Sequence, residues 1–195
     1  MRRNVKRILY DIAEDQMGYV TSAQAREAGV HPALLVQLAQ RGWLERSSHG
    51  VYRLVDFPIA KLWQYMEATL WPYRQRGVIS HHTALSMYEI SDILPAKVHI
   101  TLPTSYRVQR PPKNYLIVHH ADLPPTDIAG KERIPITTPV RTIRDCIAVH
   151  IGPALLVPAI REGVRWGMFD QAMADQLRRE LDAALDAAAI APYAA

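Results

Sequence analysis

The sequence predicts an α+β protein: an N-terminal winged helix-turn-helix followed by an α+β domain with a small sheet and C-terminal helices. Three observations predict it. Helical periodicity recurs three times in the first 42 residues, with a stop signal after each run. The pattern then changes to period two on either side of a short turn. Beyond residue 58, stretches of helical spacing are interrupted by a few short alternating runs, the mark of helices gathered around a small sheet.

Val5, Ile8, Leu9 and Ile12 form one stripe of a helix over residues 4–15, stopped at Met17 and Gly18. Residues 18–20 read as a short extended link. Thr21 or Ser22 caps a second, alanine-rich helix over residues 23–28, ended by Gly29. His31-Pro32 opens a third helix, with proline at its first position, that runs to Arg41 and stops at Gly42. Leu34, Leu35 and Leu38 form its buried stripe. His31 stands at its start, and Ala33, Gln37, Gln40 and Arg41 lie on the opposite face. Residues 43–46 and 51–54 return on each other around Ser47-Ser48-His49-Gly50. Three helices and a hairpin in about 55 residues is the winged helix-turn-helix order.

Such a module places its third helix in the major groove of double-stranded DNA. Gln37 and Gln40 are suited to adenine, and Arg41 to guanine or phosphate. Arg46, His49 and Arg53 of the wing can lie against the backbone or minor groove, and Arg3 and Arg7 of the first helix can reach phosphates. The alternative is a winged helix used only for protein contacts.

Charge agrees with a polyanion partner. The net charge is +4. Residues 1–55 carry eight basic and five acidic groups, and residues 96–145 carry eight and four. The intervening and final segments are slightly acidic. Within the second basic block, residues 104–113 hold Arg107, Arg110 and Lys113 with no acid. Pro111-Pro112 makes this an exposed loop between two strands: a second phosphate-contacting element, a dock for an acidic partner face, or a solvated hairpin loop. Arg141 and Arg144, one helical turn apart, can extend it.

The composition, 49% hydrophobic and 22% charged, is ordinary for a globular chain and excludes a disordered tail, a collagen and a coiled-coil rod. No run of about 18 apolar residues is present, so no membrane span is expected. No secretory leader is expected either. The single cysteine, Cys146, can make no internal disulfide and no cysteine-rich zinc site, which suits the cytoplasm.

Certain residues carry a resemblance. Gly18-Tyr19-Val20-Thr21, Ala25 with Ala28-Gly29-Val30, Leu38 with Gly42-Trp43-Leu44-Glu45-Arg46, and Gly50-Val51-Tyr52-Arg53-Leu54 resemble the N-terminal winged helix of the AbiEi family. Ile79-Ser80-His81-His82-Thr83-Ala84-Leu85, Val98-His99-Ile100-Thr101, His119-His120-Ala121-Asp122-Leu123 and residues 134–142 are similar to that family's second domain. The resemblance spans roughly residues 15–170. It implies an antitoxin and transcriptional regulator of a type IV toxin–antitoxin operon. Such a protein represses its own promoter and neutralises, directly or indirectly, a nucleotidyltransferase-like toxin. Assembly as a homo-oligomer on DNA is left open. Where longer relatives carry extra C-terminal material, this chain ends in an alanine-rich helix.

The expected division is 1–57, a winged helix-turn-helix DNA-binding domain, and 58–195, an α+β antitoxin or interaction domain. Residues 55–58 form a linker short enough to fix their orientation. Pro58 opens a helix to about Arg76. Val78-Ile79 is a brief extended entry, and Ser80 caps a helix to Tyr88. Residues 97–102 alternate as a half-buried strand. Residues 115–119 and 134–137 are further strands. Thr138-Pro139 opens a helix to about Val149, and helices over 153–168 and 170–189 close the chain.

Chemistry is sparse. His81-His82 and His119-His120 are adjacent pairs, with His99 between them in sequence. Neighbours in a helix or strand point apart, so neither pair chelates one metal. A site would need one histidine from each element, with Asp122 an optional further ligand; capping and sheet-face hydrogen bonding is the plainer reading, and no metal is assigned. A metal-dependent nuclease in the second domain would want acids clustered on a sheet, whereas Glu89, Asp92, Asp122, Asp127 and Asp145 are scattered between loops and helices, which leaves it the remoter alternative to the protein-binding adaptor. Cys146 reads as a buried, inert thiol. No phosphate loop or nucleophile elbow is present, so the chain reads as a non-enzyme without cofactors.

Overall fold

The computed structural model describes residues 4–107 and 111–190, and contains eight α-helices and eight strands among them. The fold is α+β, as the sequence predicts.

Helices α1 (Val5–Glu14), α2 (Ser22–Glu27) and α3 (Pro32–Gln40) come first. Asn4 caps α1, accepting from the Lys6 amide at 3.1 Å. Thr21 and Gln24 form a reciprocal capping box at the head of α2. The Gln24 amide also pairs with the buried Gln16 amide, at 2.7 and 3.1 Å, which ties the end of α1 to α2. Tyr19 and Val20, read above as part of a link, form strand β1 (Tyr19–Thr21) with Thr21, which also caps α2. It joins the wing hairpin β2 (Leu44–Ser48) and β3 (Val51–Leu54) in a sheet of order β1-β3-β2. Leu9, Ala13, Val20, Ala25, Leu35, Leu44, Tyr52 and Leu54 fill the core between helices and sheet.

Helix α4 (Trp63–Leu70) is much shorter than the helix expected over 58–76. Pro72 has no N–H to continue it, and at its start Leu62 offers no capping side chain. Strand β4 (Val78–Ile79) is no mere entry but the middle strand of a second sheet. That sheet also holds β5 (Val98–Leu102), β6 (Leu116–His120), β7 (Ile128–Lys131) and β8 (Ile134–Thr137), in the order β6-β5-β4-β8-β7. Strand β7 has no counterpart in the sequence reading. It turns back to β8 through Glu132 and Arg133, both at positive φ and neither the Asn or Gly that signals such a turn.

Two further expectations are corrected. Strands β5 and β6 run parallel, so residues 103–115 are a crossover and not a hairpin loop. Strand β5 is covered on both faces: His99 and Thr101 are buried along with Ile100 and Leu102. Helix α5 (His81–Tyr88) packs on it, and α6 (Pro139–Ala148), α7 (Pro153–Arg165) and α8 (Gln171–Ile190) extend that layer.

The two sheets share packing. Tyr19 of β1 and Val51 of β3 belong to the apolar cluster of α4 and the five-stranded sheet. At the wing tip, Gly50 has φ +74°, and a Cβ there would come within 2.7 Å of the Tyr73 ring. The buried Glu67 of α4 accepts from the Ser47 hydroxyl of the wing and from Lys113 Nζ of the crossover at 2.5 Å. Lys113 also donates to the Ser47 carbonyl at 3.2 Å. Arg133 reaches the Asp15 carboxylate at 3.0 Å and the Glu14 carbonyl at 2.9 Å.

Lys113→Ala leaves the Glu67 carboxylate buried without its counter-charge. Because Lys113 itself is partly exposed, a loss of about 1–3 kcal/mol is expected rather than that of a fully buried pair. Thermal melting reads this as a drop of about 2–4 °C per kcal/mol. Adding Glu67→Gln to Lys113→Ala is expected to recover part of the loss.

Candidate functional site

His31 caps α3: its Nδ1 accepts from the Ala33 amide at 3.2 Å, so the ring is folded onto the helix end. Leu35 is wholly buried, and Leu34 and Leu38 partly so. Ala33, Gln37, Gln40 and Arg41 are exposed. So is Val36, an apolar residue that the sequence reading passed over, 45% accessible. Its signal was available, since it stands three residues after Ala33 and four before Gln40 on the outward face.

Val36, Gln40 and Arg46 line one open groove of about 540 Å³ between α3 and the wing. Arg46, Arg53 and Lys113 line a second cleft, of about 330 Å³, with Glu45 and Glu67 as its acids. Arg46 is exposed, its guanidinium 3.2 Å from His49 Nδ1. His49 packs edge-on against Tyr73, with centroids 5.1 Å apart. Arg53 Nη2 donates to the Phe57 carbonyl at 2.5 Å, which holds it against the segment after the wing. Arg7 lies apart on α1, paired with Asp11 at 2.9 Å and exposed. Arg107 is exposed on the crossover. Arg3 and Arg110 lie outside the described residues. The suggested extension through Arg141 and Arg144 does not form. Arg141 is held by Asp127 and Asp145 at 2.8 and 2.7 Å, and Arg144 by Glu180 at 2.9 Å.

The histidines gather as the sequence condition required, one from each element. His81 opens α5, His99 lies in β5 and His119 in β6, and their nearest ring nitrogens all fall within 4.8 Å of one another. His99 Nδ1 and His119 Nε2 are 3.0 Å apart, and the His81 and His119 rings stack with centroids at 3.5 Å. Burial, reinforced by the neighbouring imidazoles, lowers the His81 pKa to about 3 and that of His99 to about 4 and pulls His119 down too, while burial alone lowers His82. These rings are therefore neutral at physiological pH. Asp122 is not part of the group: its carboxylate accepts from the Thr104 amide and hydroxyl at 3.0 and 2.5 Å.

Of the scattered acids, Asp127 and Asp145 meet, but around the Arg141 guanidinium rather than an open site. Cys146 is buried in α6, and burial pushes its thiol up.

A helix-turn-helix with an exposed third helix and a hairpin wing defines a class of domain, the winged helix-turn-helix. Residues 7–55 match the family described as "Transcriptional regulator, AbiEi antitoxin". The crystal structure of the RV2827C protein from Mycobacterium tuberculosis is similar in fold. It is 18% identical, with a TM-score of 0.50 over 92% of this chain and 76% of that one. No curated protein matches the chain. Among the described residues, no helix is long and apolar enough to cross a membrane.

The buried Cys146 makes one expectation direct. Iodoacetamide is expected to leave the mass of the folded protein unchanged and to add a single carbamidomethyl group in concentrated guanidinium; labelling of the native form at the rate of a free thiol would contradict this placement.

Proposed function

We propose that this protein is a DNA-binding transcriptional autorepressor and the antitoxin of a type IV toxin–antitoxin operon. Residues 1–57 bind double-stranded DNA at its own promoter in the cytoplasm. Residues 58–195 serve the antitoxin function, directly or indirectly, against a nucleotidyltransferase-like toxin. The observation that carries the reading is the exposed face of α3 inside the segment that matches the AbiEi regulator family.

Gln37 and Gln40 present amides for adenine, Arg41 a fork for guanine or phosphate, and Val36 a methyl surface for thymine. Ala33 and the capping His31 let the helix start approach the groove closely. Arg46 adds a phosphate contact beside Gln40 in the shared groove. Arg7 can exchange its exposed partner Asp11 for a phosphate, since such a surface pair is worth about 0–1 kcal/mol. Arg107 offers a more distant phosphate contact. His49, Arg53 and Lys113 shape the wing through Tyr73, the Phe57 carbonyl and Glu67, and act on DNA by positioning it.

A second reading has its own observation. The wing tip rests on Tyr73 and Glu67, as expected if the winged helix were a structural part of a protein-binding adaptor.

Fluorescence anisotropy on the chain's own upstream DNA and a scrambled control, at two salt concentrations, separates the two. Specific, salt-sensitive binding supports the repressor, because each phosphate neutralised releases counterions. Equal weak binding to both, or none, supports the adaptor. Gln40→Ala is expected to lose about 1–3 kcal/mol of discrimination between sites. Arg107→Ala is expected to weaken all sequences alike and to flatten the salt slope.

A further inference from the structure

We propose that His81, His99 and His119 form a three-histidine site for a zinc-type divalent transition-metal ion that clamps the edge strand β6 to the body of the protein. The three imidazoles come from a helix start, an inner strand and an edge strand, so an ion held by all three ties α5, β5 and β6 together at one point. Bonds of about 2.0–2.1 Å from a tetrahedral ion place ligand nitrogens about 3.3 Å apart. His99 Nδ1 and His119 Nε2, at 3.0 Å, are already near that spacing. A nitrogen of His81 lies within 4.8 Å of both, and its ring, now stacked on His119 at 14°, must tilt out of that stack to aim its lone pair at a shared ion.

Surrounding groups orient the ligands. Ser80 Oγ lies 2.9 Å from His81 Nδ1 and accepts from the Thr101 hydroxyl at 2.8 Å. With Nδ1–H directed at Ser80, the His81 Nε2 lone pair is left for an ion. Thr83 Oγ1 accepts from the His99 amide at 2.9 Å, fixing β5 against α5. His81 has φ +51°, a strained value for a non-glycine residue, which this packing holds at the point where its ring joins the other two. Neutral imidazoles are the ligating form. An all-imidazole set selects zinc, copper or nickel over magnesium and calcium. Arg141, whose charge acts on His81, is paired with Asp127 and Asp145. His82, partly exposed with its ring 4.5 Å from that of His99, borders the site.

The test uses the full chain without a histidine affinity tag, stripped with EDTA and titrated with zinc chloride by calorimetry. Cobalt(II) absorption reports the coordination geometry. One equivalent is expected to bind, with the intense visible bands of a low-coordinate cobalt site, and zinc is expected to raise the melting temperature. His119→Ala, on the edge strand, is expected to abolish both the binding and the thermal shift. His120→Ala, exposed on the same strand, is expected to retain them. Ser80→Ala is expected to weaken binding by about 10–100-fold, with the same fold by circular dichroism. Absence of stoichiometric binding, or binding that survives His119→Ala, would overturn the assignment and leave three stacked, hydrogen-bonded imidazoles.

Discussion

The carboxylate of Glu67 is the interaction on which the arrangement of the two sheets depends. It is buried on α4, where an unpaired charge is costly. Its partners come from two separate elements, Ser47 from the wing and Lys113 from the β5–β6 crossover, and meet at the same carboxylate oxygen. It also raises the phenol pKa values of Tyr19 and Tyr115, after the larger effect of their burial, so both stay protonated at the seam. One acid thus fixes where the wing tip lies relative to the second sheet. The shared apolar cluster of Tyr19, Val51, Met66 and Ile100 closes around it.

That seam divides the wing by role. Its tip faces inward, with Gly50 against Tyr73 and Ser47 against Glu67. Its Arg46 stands in the groove beside Gln40. Helix α3 remains open because its own core contact is Leu35, sealed by Leu9, Ala25 and Leu44 beneath it. Packing of the N-terminal unit on the rest therefore occupies the wing tip and leaves the helix free.

The helix-turn-helix was legible because its signals are local. Thr21 with Gln24, Gly29, His31-Pro32 and Gly42 each fix a terminus within a few residues of themselves. The second sheet was legible only in part. Alternation marked β5 and the short runs that became β6 and β8, but no periodicity states whether two strands run parallel, and Glu132-Arg133 carries no turn signal. For the candidate site, exposure on α3 followed from helical spacing. The occupations of Lys113, Arg53 and Arg141 did not, since each depends on a partner brought close by the fold. The histidine group shows the same limit: spacing ruled out the adjacent pairs, while the parallel register, which sets Thr101 opposite His119, leaves His99 and His119 as diagonal neighbours on one face.

The crossed order of the second sheet also bears on how the chain acquires its shape during synthesis. Strand β4 lies in the middle, yet its neighbour β8 is made long after it, so Ile79 must await Ile136. The contacts of α1, α2, α3 and the wing are short in sequence, and such contacts form early as a chain emerges N-terminus first. A nascent chain thus passes through a stage in which the helix-turn-helix is folded while Glu67 has no cation and β4 has one bare edge. The exposed face of α3 exists before the part that completes the protein, and the arrival of Lys113 marks the change from one stage to the next.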